Sequence, residues 1–251
     1  MATASICPSF CPVQTVYLKG SAMHIAGFAA GAWQTNCWVA STGHGNECIV
    51  IDPGMDAMEP LQQLLSDENL KPVAVLVTHG HIDHMWSVFP VADGYGIPAY
   101  VHSDDRELLA DPIRAVGPQG RMIIEQMGAT FAEPSDVRHL KHGENVNIAG
   151  LDITVHHRPG HTAGSLTYTL AAEQPVMFSG DVLFKNAIGR TDLPSGDPFA
   201  MRSSLEAMLA HTDDETLVHC GHGPSTVFAD ERRSNPYLQN LDLVAPVGIG
   251  R

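Results

Sequence analysis

Three imidazoles and a carboxylate fall within six consecutive residues, His79-Gly80-His81-Ile82-Asp83-His84, directly after Thr78 and the apolar run Val73-Ala74-Val75-Leu76-Val77. A continuous apolar run of this length reads as a strand buried on both faces. Burying three unpaired imidazoles and a carboxylate at its end serves no stabilising purpose, so the string reads as a metal site. His79 and His81 are two apart and point the same way in extended backbone. Asp83 and His84 follow past a turn, so one loop offers two ligand pairs to two neighbouring ions. Gly80 between the imidazoles leaves room for close backbone approach.

A metal site of this kind requires further ligands at later strand ends, and three places supply them. His161 stands in Arg158-Pro159-Gly160-His161-Thr162-Ala163-Gly164, Asp181 ends Phe178-Ser179-Gly180-Asp181, and His222 stands in His219-Cys220-Gly221-His222-Gly223-Pro224. Five His and two Asp suit Zn²⁺, with Fe or Mn as accepted substitutes; neither soft thiolates nor an all-oxygen cage is indicated. Seven ligands exceed one tetrahedral ion and suit two ions about 3.5–4 Å apart, with the charge of Asp181 making it the natural bridge. Such ions lower the pKa of a bound water to roughly 7, which gives a hydrolase its nucleophile. His24, His44, His102, His139, His142, His156, His157, His211 and His219 read as surface or capping residues. Cys220 reads as a packed thiol two residues from a ligand.

The rest of the chain narrows the setting. Its 251 residues suit one large α/β domain. A formal charge of -14, from 14 basic and 28 acidic residues, disfavours nucleic acid or an anionic membrane as partner. Five cysteines, an odd and scattered count, do not form a disulfide framework and point to a reducing compartment. No basic residue precedes Lys19, so a signal peptide is not expected. No apolar run approaches the ~20 residues that span a bilayer. A cytoplasmic protein follows, with residues 1–22 as a flexible extension and 23–251 as a single metallo-hydrolase domain. Cys7 and Cys11 belong to that extension; the oligomeric state is left open.

Strands are expected over residues 35–40, 47–51, 73–77, 97–102, 146–148, 151–157, 165–170, 176–179 and 216–219. Helices are expected over 58–65, 85–91, 104–109, 121–127, 197–210 and 228–233, the last ended by Pro236. Asp197 and Pro198 form a capped helix start.

The ordered set Asp52, His79-x-His81-x-Asp83-His84, His161, Asp181 and His222 resembles the metallo-β-lactamase superfamily, over about Met23 to Leu241. The resemblance implies an α/β fold, a four-layer αβ/βα sandwich with the metals at one edge of its two sheets. Gly180-Asp181-Val182-Leu183-Phe184, Ile188-Gly189-Arg190-Thr191-Asp192 and Glu231-Arg232-Arg233-Ser234-Asn235-Pro236 look like the glyoxalase II (hydroxyacylglutathione hydrolase) branch. It implies that His79, His81 and His161 hold one ion, that Asp83, His84 and His222 hold the other, and that Asp181 bridges them. Asp52 is implied to support the metal loop from behind. The implied reaction is hydrolysis of a small-molecule hydroxyacyl thioester by a metal-bridging hydroxide, with Asp83 as the catalytic proton acceptor. Two departures stand out. The helical C-terminal domain that holds glutathione in that branch is not expected here, and Met85-Trp86-Ser87 replaces smaller residues. Trp86 reads as a core residue, with the pocket mouth as the alternative; Lys185 and Arg190 are candidates for an anionic substrate, though pairing with a nearby Asp such as Asp192 is the favoured role for Arg190. The alternatives are a mononuclear iron persulfide dioxygenase using His79, His161 and Asp181, and a metal-binding protein without activity that retains the fold.

Overall fold

Period-two alternation along the strands sorts side chains onto two faces and thereby dictates the layers. In the computed structural model, which describes residues 14–17 and 23–245, the first sheet has seven strands in the order β1 to β7. They are β1 (Gln14–Tyr17), β2 (His24–Ala30), β3 (Thr35–Ser41), β4 (Glu47–Ile51), β5 (Lys71–Leu76), β6 (Ala99–Val101) and β7 (Val137–His139). β1 to β4 are antiparallel neighbours, and β4 to β7 run parallel. β1 lies within the segment read as a flexible extension, and Cys7 and Cys11 lie outside the described residues.

The second sheet is built from β8 (Asn145–Ile148), β9 (Leu151–His157), β10 (Leu166–Leu170), β11 (Val176–Gly180), β14 (Leu217–Cys220) and β15 (Thr226–Val227). Its order is β15-β14-β11-β10-β9-β8, with only the β11–β14 pair parallel. A short hairpin, β12 (Leu183–Phe184) with β13 (Ala187–Ile188), follows Asp181.

Trp38, Ile49, Ile51 and Leu76 of the first sheet meet Ile153, Val155, Tyr168 and Phe178 of the second in a dry inner core. The opposite face, Cys37, Val39, Val50 and Val75, packs under α1 (Met58–Asp67) and α3 (Val88–Tyr95) through Leu61, Leu64, Val88 and Val91. Met177 and Val218, on the outer face of the second sheet, pack under α5 (Pro198–His211) through Met201, Leu205 and Met208. Each large apolar side chain so buried contributes roughly 1.5–3 kcal/mol. The result is the helix–sheet–sheet–helix sandwich expected of the chain. Buried Tyr168 donates its hydroxyl to Val77 O at 2.7 Å, tying the second sheet to the residue that precedes the metal loop.

Several elements differ from the sequence reading. The helix expected over 85–91 is split into α2 (Ile82–Met85) and α3. Ser87 turns its hydroxyl to Gly54 O at 2.7 Å, and the helix restarts so that Pro90 falls in a first turn, where its missing N–H costs nothing. Residues Ser103–Leu109 form a 3-10 helix rather than an α-helix. α4 (Pro118–Met127) begins earlier than expected, with Pro118 at its first position. Pro236 does not merely end α6 (Phe228–Ser234); it opens α7 (Pro236–Gln239), where Asn235 accepts Tyr237 N at 3.1 Å.

Candidate metal centre

β4 and β5 are parallel neighbours, with Ile51 opposite Leu76, so their C-terminal ends deliver Asp52 and Thr78 side by side. Asp52 adopts φ 48, a left-handed conformation that costs a non-glycine residue on the order of 1–3 kcal/mol. Its carboxylate repays that strain locally. It accepts Thr78 N at 2.7 Å, Thr78 Oγ1 at 2.6 Å and His84 Nδ1 at 2.9 Å. With Nδ1 so engaged, His84 turns Nε2 into the site.

A second carboxylate fixes the same loop from the other side. Asp105, fully buried in the 3-10 helix, accepts Gly80 N at 2.8 Å, Thr162 Oγ1 at 2.6 Å and Gly164 N at 2.8 Å. One side chain therefore ties the His79-Gly80-His81 loop to the loop that carries His161. Gly164 is required there, because a Cβ would lie 2.6 Å from Asp105 Cγ. The His222 loop is fixed from β3: Asn36 Nδ2 donates to Cys220 O at 3.0 Å and Gly223 O at 2.8 Å.

These supports bring all seven candidate ligands together. His161 Nε2 lies 2.8 Å from His81 Nδ1 and 3.2 Å from His79 Nε2. His222 Nε2 lies 3.3 Å from His84 Nε2 and 3.1 Å from Asp83 Oδ2. Asp181 stands between the two groups, with Oδ1 3.2 Å from His84 Nε2 and Oδ2 3.5 Å from both His161 Nε2 and His222 Nε2. Gly221 leaves space for this carboxylate, since a Cβ would fall 2.2 Å from Asp181 Oδ1. His161 Nδ1 donates to Arg190 O at 2.8 Å and His222 Nδ1 to Trp33 O at 3.1 Å, which orients both rings.

The electrostatics suit cations. Burial, with the neighbouring imidazoles, holds His79 well below the ordinary histidine value and His81 at about 3, so both are neutral with lone pairs available. Burial alone would also lower His84, but Asp181, Asp83 and Asp52 outweigh it and raise the group. Burial would raise Asp83; His84 and His222 overcome it and keep the carboxylate ionised. Neutral imidazoles converging on carboxylates form a donor set for divalent ions of the zinc and iron kind. Among these seven residues, three overlapping groups bring their ligand atoms within 4.8 Å of one another: His79, His81 and His161; His79, His84 and Asp181; Asp83, His84 and His222. Cys220 is no such donor: it packs in the outer core, and burial pushes its thiol up to about 12.

A cavity of about 650 Å³ opens above this floor. Trp33, Ile82, Val116, Ile124 and Leu193 give it apolar walls, and Arg190 and Asp192 stand at its side. Trp86 is half-buried behind Trp33, against the edge of Phe131, and so neither fills the core nor lines the cavity. Two histidines read as surface residues are buried: His24, and His219, whose ring lies 4.2 Å from that of Trp38. His219 follows the inward alternation of β14, which carries it onto the aromatic core. Sequence reasoning missed Asp105 because it reads as an ordinary acidic helix start. The signal that could have found it is the pair of small loops, around Gly80 and Gly164, needing a common acceptor. Trp33 and the 116–124 wall carry no motif.

Comparison with known proteins agrees with this fold. A family model described as the metallo-beta-lactamase superfamily matches residues 30–222. The hydroxyacylglutathione hydrolase GloC of Haemophilus influenzae is 30% identical over 224 residues, covering 87% of this chain and 99% of its own length. The crystal structure of the BLEG-1 B3 metallo-beta-lactamase is 36% identical, with a TM-score of 0.75, covering 86% of this chain and 100% of that one. The TTHA1623 protein, solved in a di-iron-bound form, is 33% identical with a TM-score of 0.70, covering 84% of this chain and 99% of that one. No helix among the described residues is long and apolar enough to cross a membrane.

Proposed function

The chain belongs to the metallo-β-lactamase superfamily, whose fold is that of metal-dependent hydrolases, and from that premise we propose that it hydrolyses hydroxyacyl thioesters at a dinuclear centre. The observation that carries the reading is Asp181 placed between two convergent groups of ligand atoms. His79, His81 and His161 would hold one ion, and Asp83, His84 and His222 the other. When bound, such a pair of ions supplies hydroxide from water at neutral pH and polarises the substrate carbonyl. Zn²⁺ fits the donors, and so does iron, the metal of the TTHA1623 structure.

The protein's own residues set the direction of attack. Asp83 faces the site with Oδ2, which accepts Thr35 Oγ1 at 3.3 Å and lies 3.1 Å from His222 Nε2. It is placed to take the proton of the attacking water. Trp33 and Ile124 line the approach to it and give the acyl group apolar contact. The departing thiolate needs no dedicated acid, because a thiol of pKa about 8.5 is a good leaving group. GloC, similar over nearly its whole length, supports the thioester assignment.

The likeness to BLEG-1 favours a second reading, β-lactam hydrolysis in the same cavity. A substrate panel on protein reconstituted with Zn²⁺, Mn²⁺ or Fe²⁺ decides between them. The expected result is lactoyl-thioester turnover at kcat/KM at least about 100-fold above that for a cephalosporin, a preference of ~2.7 kcal/mol. A cephalosporin preference, oxygen uptake on a persulfide, or no turnover at all would overturn the thioester reading.

A further inference from the structure

We infer that the thiol half of the substrate carries no net charge, and that the protein discriminates against thioesters of carboxylate-bearing thiols. The inference rests on thioester hydrolysis being the reaction. Recognising a carboxylate in a cleft calls for an unengaged Arg or Lys, best met by the guanidinium fork. Among the described residues that line this cavity, Arg190 is the sole Arg or Lys. Its Nε–Nη2 edge is already engaged: Nε donates to Asp192 Oδ1 and Nη2 to Asp192 Oδ2, each at 2.7 Å. Asp192 lines the same cavity, so an incoming carboxylate meets a negative charge beside the positive one. Arg190 holds Asp192 at about 2, which keeps that negative charge through the neutral range.

The remaining walls are apolar. Leu193 adjoins the ion pair in the chain, Trp33 stands beside His222, and Val116 and Ile124, with the bare backbone of Gly117 and Gly120, form the face contributed by α4 and the residues before it. An uncharged thiol loses no hydration of ionised groups there and gains apolar contact. At longer range, the formal charge of -14, which two bound dications reduce in magnitude but do not cancel, opposes the approach of anionic substrates to the protein.

The test uses the zinc-loaded protein and three lactoyl thioesters that share one acyl group: those of N-acetylcysteamine, 3-mercaptopropionate and glutathione. At low salt, kcat/KM for the uncharged N-acetylcysteamine thioester should exceed that for each anionic one by about tenfold or more, and added NaCl should narrow the gap. Asp192→Asn frees the Arg190 fork and should raise the anionic-to-neutral ratio at least about threefold. An equal or better rate with an anionic thioester, or a ratio unmoved by Asp192→Asn, would overturn this inference while leaving thioester hydrolysis in place. Inertness of all three would remove the thioester reading and this inference together.

Discussion

At the floor of the cleft, His79, His81, His84 and His161 are at most 4% exposed, and their loops are held by Asp52 and Asp105 through six short hydrogen bonds. At the mouth, Trp33 is 37% exposed, and the side chains of Arg190 and Asp192 are bonded to each other. The floor is buried polar chemistry, in which every donor needs its acceptor and a misplaced atom is costly. The mouth is half-solvated, and its residues can change with small effect on folding. Rate should therefore be set by the floor and substrate choice by the mouth.

The largest effect should come from the bridge. Asp181→Ala should lower kcat/KM by about 10³-fold or more, equivalent to ~4 kcal/mol, with loss of bound metal measured by elemental analysis. His81→Ala should behave alike, since either change leaves one group of ligands incomplete. A variant that keeps near wild-type rates would break the distinction between floor and mouth.

Next come the supports. Asp105→Asn leaves one acceptor oxygen where three donors converge, and should weaken metal affinity by about 10–100-fold in a competition titration. Asp52→Asn should act similarly through His84. Retention of wild-type affinity in both would mean that the loops hold their shape without these carboxylates. Smaller still, Trp33→Ala should raise KM about fivefold with kcat nearly unchanged, the signature of a contact made equally in ground and transition states.

The smallest effect concerns His219, buried like the floor histidines but remote from chemistry. Burial lowers it to about 3, from the ordinary histidine value of 6.5. The unfolded chain therefore takes up this proton first as pH falls. Stability is intact above about 6.5 and is lost progressively down to about 3. His219→Phe should flatten that decline in chelator-treated protein, as read by Tm at a series of pH values. An unchanged slope would mean that other groups carry the acid sensitivity.

The same contrast explains what could be read before the fold was known. The floor was legible because buried imidazoles and carboxylates are costly without a cation, so His79 to His84 announces its own purpose. His161, Asp181 and His222 were found by their strand-end context; the sandwich came from the family resemblance these motifs carry, while β3, β4, β9 and β10 were legible only as individual strands. Asp105 was not legible, because its three partners come from loops 25 and 57 to 59 residues away, and only folding shows that they converge. The burial of His219 depended on which face of β14 met Trp38. Trp33, Val116 and Ile124 form a wall only through tertiary placement, and apolar residues carry no local sign of such a role.

The central claim is that Asp181 joins two metal sites into one catalytic centre. Its most direct test is metal content per chain, titrated against lactoyl-thioester hydrolysis as chelator-treated protein is reloaded with Zn²⁺. The account predicts activity that rises to a maximum at two equivalents. Full activity at one equivalent, with no further binding, would contradict it.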